Sequence, residues 1–274
     1  RGCVDFEYMK TLYPKSEEKM IDELDNLIYQ DPEKLNDFNK GWVIASEYLS
    51  GNVKHKLNYA RSINEDNKYD KNILALERVQ PTPLEYDEIS VKLGSTWIPE
   101  DVYHQFCCEL LDIQSWNKSR LKIKYAKEVN TWLFQASGLY GYGVKNTNTW
   151  GTDRADALSL IKNALNLQSV TVYDTLEDDR RVVNPVETAN AREKQELIKQ
   201  EFKEWIWKDE DRRNRLTKLY NEQFNCMRER EFDGSHLTFD GMNPNIELRE
   251  HQKNAVARVL YGGNTLLAHA VGAG

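Results

Sequence analysis

The residues LLAHAVGAG, 266–274, set two leucines before alternating glycines. A short buried strand that runs into such glycines is how a phosphate-binding loop begins, because successive backbone N–H groups can then wrap phosphate oxygens. The N-terminus of a following helix adds positive potential. Upstream, LREHQ (248–252) opens an amphipathic stretch with Val256, Val259 and Leu260 on its apolar side. Gly262-Gly263 closes that stretch as a helix C-cap would. Helix, strand Asn264 to Ala268 and glycine run stand in the order a nucleotide loop requires. A glycine pair alone is an ordinary turn, so the order carries the reading.

A second group is built for phosphate contact. In NKSRLKIKYAK, 117–127, Arg120, Lys122 and Lys124 share one strand face while Leu121, Ile123 and Tyr125 face the core. With Lys118 and Lys127 they form a basic strip suited to DNA. Trp132 or Trp150 could stack an unpaired base. The alternative is a solvated sheet face with core tryptophans. The mixed run Asp209 to Lys218 reads as a salt-bridged helix surface. A net charge of −7 opposes whole-surface attraction to nucleic acid. It leaves room for a local basic strip, since screening acts over about 10 Å.

Metal chemistry is not expected. His104, Cys107 and Cys108 have ligand-like spacing on one helix face, but no partner cluster completes a site. Four scattered cysteines suit a reducing cytoplasm. No apolar run reaches the roughly 18 residues of a membrane helix, so no membrane partner is expected.

The LREHQ and GGNTLLAHAVGAG segments resemble the first two motifs of SNF2-like superfamily-two helicases. The resemblance implies that Gln252 reads adenine with Leu248 and Arg249 nearby, and that Gly272 and Gly274 are loop glycines for ATP. His269 and Ala270 depart from the two acidic residues common in SNF2 proteins, which argues against a chromatin remodeller. RGCVDFEYM, EYLSGNV, GSTWIP, WIWKD, LYNEQFN and FDGMNP resemble large proteins of bacterial mobile elements and phages. Those proteins fuse an adenine-specific DNA methyltransferase to a SNF2-like helicase, and the resemblance runs across essentially the whole chain. It implies a linking region up to an incomplete Walker A motif, with those two domains as partners in one polypeptide. ATP and Mg would serve the parent protein, and S-adenosylmethionine the upstream methyltransferase.

No catalytic residue is expected here. Asn184-Pro185-Val186 and Asn243-Pro244-Asn245 lack the second proline and the aromatic of a methyltransferase motif. The loop lysine and an acidic magnesium box are missing too, so phosphoryl transfer would lack its main charge stabilisation. The chain starts at Arg1 without methionine and ends inside a motif, which reads as an internal fragment.

The elements that must position these residues read as α+β. Residues 1–82 are a helical region, with Met20, Ile21, Leu24, Leu27 and Ile28 on one helical face. Further helices fall near Trp42 to Leu49, 52–63 and 71–79, and QPTPLEYDE marks a boundary. Residues 83–183 read as a β-α-β-β-α-β sandwich. Its strands are ISVKLGSTWI, LKIKYA, NTWLFQAS and SVTVYDTL, and its second helix is capped by Thr152 or Asp153. The loop 138–151 interrupts it. Residues 184–240 read as two helices, striped by Ile198, Phe202, Trp205 and Ile206, then by Leu216, Leu219, Tyr220 and Phe224. The resemblance implies that residues 241–274 are the start of the helicase domain. Two functions compete: an accessory region that contacts DNA, and a spacer that docks methyltransferase against helicase without binding DNA.

Overall fold

A computed structural model describes residues 3–177, 180–243 and 245–272. The chain forms two compact units. One runs Leu84–Asn221, and the other joins the chain up to Pro83 to the chain from Glu222 onward. The structure is of the α+β class.

In the Leu84–Asn221 unit, two helices pack on a hairpin and a third packs on both of them. Helix α6 (Glu100–Leu110) starts after Pro99, whose φ of −61° leads the chain into it. Strands β4 (Leu121–Ala126) and β5 (Thr131–Ala136) form an antiparallel pair, turned at Asn130 with φ 50°. Helix α7 (Ala157–Leu165) is capped by Asp156, which accepts from the Ser159 N–H at 2.9 Å. The cap is therefore neither Thr152 nor Asp153. Those two lie in a tight turn that Thr152 and Ala155 close by backbone bonds before the helix begins.

Helix α8 (Pro185–Lys208) carries proline at its start and the buried stripe Ile198, Phe202, Trp205 and Ile206. It ends at Asp209, whose carboxylate caps α9 (Glu210–Gln223) by accepting from the Arg212 N–H. Arg212 is buried. Its guanidinium donates back to the carbonyls of Ile206 (3.0 Å) and Trp205 (2.6 Å) and lies 3.6 Å from the Trp205 ring centroid. A cation at a helix C-terminus satisfies carbonyls that have no partner within the helix. Of the second stripe, Leu216 is buried, whereas Phe224 lies past the end of α9 and is exposed.

The strands make separate two-stranded pairs, not one sheet. Residues 89–98 form no strand. Ile89, Val91 and Leu93 alternate into the core as period two demands, but among the described residues no strand pairs with their backbone. SVTVYDTL contributes only β6 (Tyr173–Thr175), paired with β7 (Arg181–Val183). Alternation specifies an extended chain; a sheet needs a neighbour as well.

The other unit opens with α1 (Phe6–Leu12) and α2 (Glu17–Leu24). A 3₁₀ turn over Asp25–Leu27 leaves Leu27 exposed and leads into β1 (Ile28–Gln30), so the expected single face stops at Leu24. Trp42–Ile44 is strand β2, not helix, because β1 is there to pair with it; α3 (Ala45–Tyr48) follows. Helices α4 (Val53–Ser62) and α5 (Asp70–Arg78) enclose Tyr48, Leu57 and Leu76. Strand β3 (Gly51–Asn52) pairs with β8 (Met227–Arg228), tying early chain to late.

Helix α10 (Glu250–Gly262) ends at Gly263, φ 77°. Its buried residue is Ala257, while Val259 and Leu260 are exposed. The expected strand Asn264 to Ala268 is not formed, and Leu266 is 87% exposed. Among the described residues no strand pairs with it, and an unpaired strand has no ladder to hold it. Among the described residues no helix is long and apolar enough to cross a membrane.

The Tyr103 hydroxyl donates to the Ser95 carbonyl (2.9 Å) and accepts from the Gly94 N–H (3.2 Å) inside the core. Tyr103→Phe strands both groups and should destabilise the protein by about 1–3 kcal/mol in urea unfolding. Burial also pushes the Tyr103 phenol well above its ordinary range. A raised folded value means stability is complete below about pH 10 and falls as pH rises beyond it. Tyr103→Phe should flatten that alkaline slope in a pH series of unfolding curves.

Candidate nucleic-acid interface

The β4–β5 hairpin sorts its side chains by register. Leu121 stands opposite Ala136, Ile123 opposite Phe134, and Tyr125 opposite Trp132, all on the inner face. Lys122 opposite Gln135 and Lys124 opposite Leu133 make the outer face. Lys122 and Lys124 are exposed, as are Lys118, Arg120 and Lys127. Lys118 and Arg120 lie on the 3₁₀ turn Ser115–Arg120 that enters β4, and Lys127 lies in the hairpin turn. Among the described residues, none of the five has a carboxylate within 4.0 Å. Unneutralised cations on a rigid hairpin suit a polyanion, which gains by releasing its counterions.

Both hairpin edges are capped by side chains. Asn166 at the end of α7 accepts from the Trp132 N–H (2.9 Å) and donates to the Trp132 carbonyl (3.1 Å), imitating a neighbouring strand. On the other edge Glu100 accepts from the Tyr125 N–H at 2.8 Å. Blocked edges do not recruit further strands. The Asn166 clasp also brings α7 beside β5, where Lys162 joins Lys122 and Lys124 around a groove of about 670 Å³. Sequence reasoning missed Lys162. Its place on the polar face of α7 was legible, but its proximity to β5 depends on a hydrogen bond that spans 34 residues.

The two tryptophans are not open platforms. Trp132 is 4% exposed, with its ring 4.8 Å from Tyr103 and 5.0 Å from Tyr125. Its indole N–H donates to the Gly94 carbonyl at 3.0 Å. Trp150 is half-buried against the same core. A base cannot reach the Trp132 face, because inner-face register points it inward.

The nucleotide residues form a separate group in the other unit. Arg249 is the N-cap of α10, and Gln252 accepts from its N–H at 2.8 Å, which is the capping-box geometry. Gln252 Oε1 is therefore engaged in holding the helix start. Leu248 is half-buried beside them. The His269 ring meets His251 edge to face at 5.8 Å, which brings the segment before the glycines against α10 around a cleft of about 560 Å³. Gly272 has φ 88° with open space where a Cβ would stand. Gly274 lies outside the described residues.

On α6, the Cys108 sulfur is 3.9 Å from the His104 ring nitrogens, and Cys107 is sealed in the core. Burial pushes both thiols up, Cys107 furthest. His104 Nε2 donates to the Lys118 carbonyl at 3.0 Å. Among the described residues no three His, Cys, Asp or Glu side chains group as metal ligands.

Residues 1–43 match the family described as "Probable helicase, winged helix domain". Residues 92–226, which include the hairpin, match one described as "Domain of unknown function (DUF8437)". No curated protein and no solved structure matches the chain. The chain thus carries at its N-terminus a segment similar to a helicase-associated winged helix domain. Neither family description names a methyltransferase or a SNF2 protein.

Asp156 holds the segment 138–151, which turns helically over Lys145–Thr149, as well as α7: its second oxygen accepts from the Gly141 N–H (2.8 Å) and the Asn146 side-chain amide (3.4 Å). Asp156→Ala removes these bonds together with the helix cap and should lower stability by about 1–2 kcal/mol. Hydrogen exchange should quicken at Gly141 and in the first turn of α7, and stay unchanged in α4.

Proposed function

We propose that this chain is a non-catalytic accessory region of a helicase-related protein, and that it contacts DNA through Lys118, Arg120, Lys122, Lys124 and Lys127. The observation that carries this reading is the outer face of the β4–β5 hairpin, where exposed lysines alternate without carboxylate partners among the described residues. Lys162 extends the same charge across the groove. The winged helix match at residues 1–43 supports the association with a helicase.

The finer reading rests on resemblance. In it the parent protein joins an adenine methyltransferase to a SNF2-like helicase in a bacterial mobile element. Leu248, Arg249, Gln252, Gly272 and Gly274 would open the ATP site of that helicase, with ATP and Mg bound there and S-adenosylmethionine in the methyltransferase. The competing function is a spacer that docks those two domains and leaves DNA alone.

Charge reversal separates the two. K122E/K124E should weaken DNA binding at least tenfold in fluorescence anisotropy. The salt dependence of log K should flatten by about one unit for each phosphate that the variant no longer neutralises. Binding that is absent in the unaltered chain would favour the spacer.

A further inference from the structure

The basic strip has charge, but of its two expected tryptophans Trp132 is turned into the core and Trp150 is half-buried against it. A different one is open. Trp116 lies on the 3₁₀ turn Ser115–Arg120, between the helix α6 and strand β4, and is 72% exposed. Lys118 and Arg120 follow it on the same turn. Tyr142, 68% exposed, lies in the loop 138–151. The two segments are held side by side. The Ser137 N–H donates to the Arg120 carbonyl at 3.2 Å, and the Arg120 guanidinium lies 3.7 Å from where a Gly138 Cβ would stand. Gln114, Asn117 and Tyr142 line one small cavity of about 60 Å³.

A single exposed aromatic is ordinary on a protein surface. Two of them on neighbouring segments, beside cations with no carboxylate partner among the described residues, meet the requirements of single strands. Unpaired bases stack on aromatic faces while the phosphates follow positive charge. A duplex keeps its bases stacked on each other and offers such faces nothing.

We infer that Trp116 and Tyr142 are base-stacking platforms at one end of the basic strip, and that the favoured ligand is single-stranded DNA. The inference rests on the DNA-contacting role proposed above and narrows it to one form of DNA. Lys118 and Arg120 hold the backbone next to the ring of Trp116, and Lys122 and Lys124 continue the track along β4.

The test is fluorescence anisotropy of the whole chain with a labelled mixed-sequence strand of about 16 nucleotides, a length within one binding site, and with its duplex. The single strand should bind more tightly than the duplex. Trp116→Ala should weaken single-strand binding by about tenfold, the loss of one stacked base, and Trp116→Phe should restore most of it. Duplex binding should respond little to either change. An unshifted melting curve for Trp116→Ala would show the fold intact, as expected for an exposed ring. If Trp116→Ala binds the strand like the unaltered chain while K122E/K124E weakens both forms, the stacking role is wrong and the basic strip stands. If neither strand nor duplex binds, both readings fall together.

Discussion

The indole of Trp132 is where the segments of the Leu84–Asn221 unit meet. Its ring lies between Tyr103 of α6 and Tyr125 of the facing strand, and its N–H donates to the Gly94 carbonyl. Tyr103 in turn stacks on Phe202 of α8, which meets Phe106 and Trp205. Aromatic contacts of this kind add specific geometry to the burial of large apolar surface. Because a hairpin has only two faces, anchoring Trp132 inward commits Lys122 and Lys124 to the outside. A one-residue slip would exchange the faces. The charge pattern of the candidate interface is thus a consequence of where one aromatic residue is buried.

Backbone that lacks a strand partner is served by amide side chains. Asn166 takes both polar groups of Trp132, and Asn221 does the same for Leu84, accepting from its N–H and donating to its carbonyl, each at 2.8 Å. The first blocks a sheet edge and draws α7 to the hairpin. The second joins the first and last residues of the unit. Gln195, buried in α8, donates to the carbonyls of Leu160, within α7, and Gln168, just past its end. These amides hold together what the small sheets leave open, since a buried backbone group without a partner is costly.

Charge is handled differently at the surface and inside. Arg215 makes two bonds to Asp101, at 2.6 and 3.0 Å, and this pairing holds the Asp101 carboxyl below its usual range. Both side chains are largely exposed, so the pair adds little stability. Arg212, three residues earlier, is buried and spends its guanidinium on helix-end carbonyls and the Trp205 face. The same acidic–basic run therefore contains a surface ion pair and a structural cap. Among the described residues Lys122 and Lys124 on the hairpin have neither kind of partner, which separates them from Arg212 and Arg215 and leaves their charge available to a ligand.

The sequence by itself determined the helices with strong 3.6-residue stripes, above all α6, α7 and α8, and the period-two face that exposes Lys122 and Lys124. Both are local properties: side-chain spacing decides which residues can be buried together. It also marked the end of α10 through Gly262-Gly263. What it could not decide was every feature that needs a distant partner. Ile89, Val91 and Leu93 alternate like a strand and remain unpaired, while Val43 and Ile44 become a strand because β1 lies beside them. Trp132 and Trp116 are the same residue type near the same basic run, and only tertiary packing buries the first and leaves the second in water. A local pattern says which residues share a face, and only the segments that fill the space beside that face decide whether it is buried.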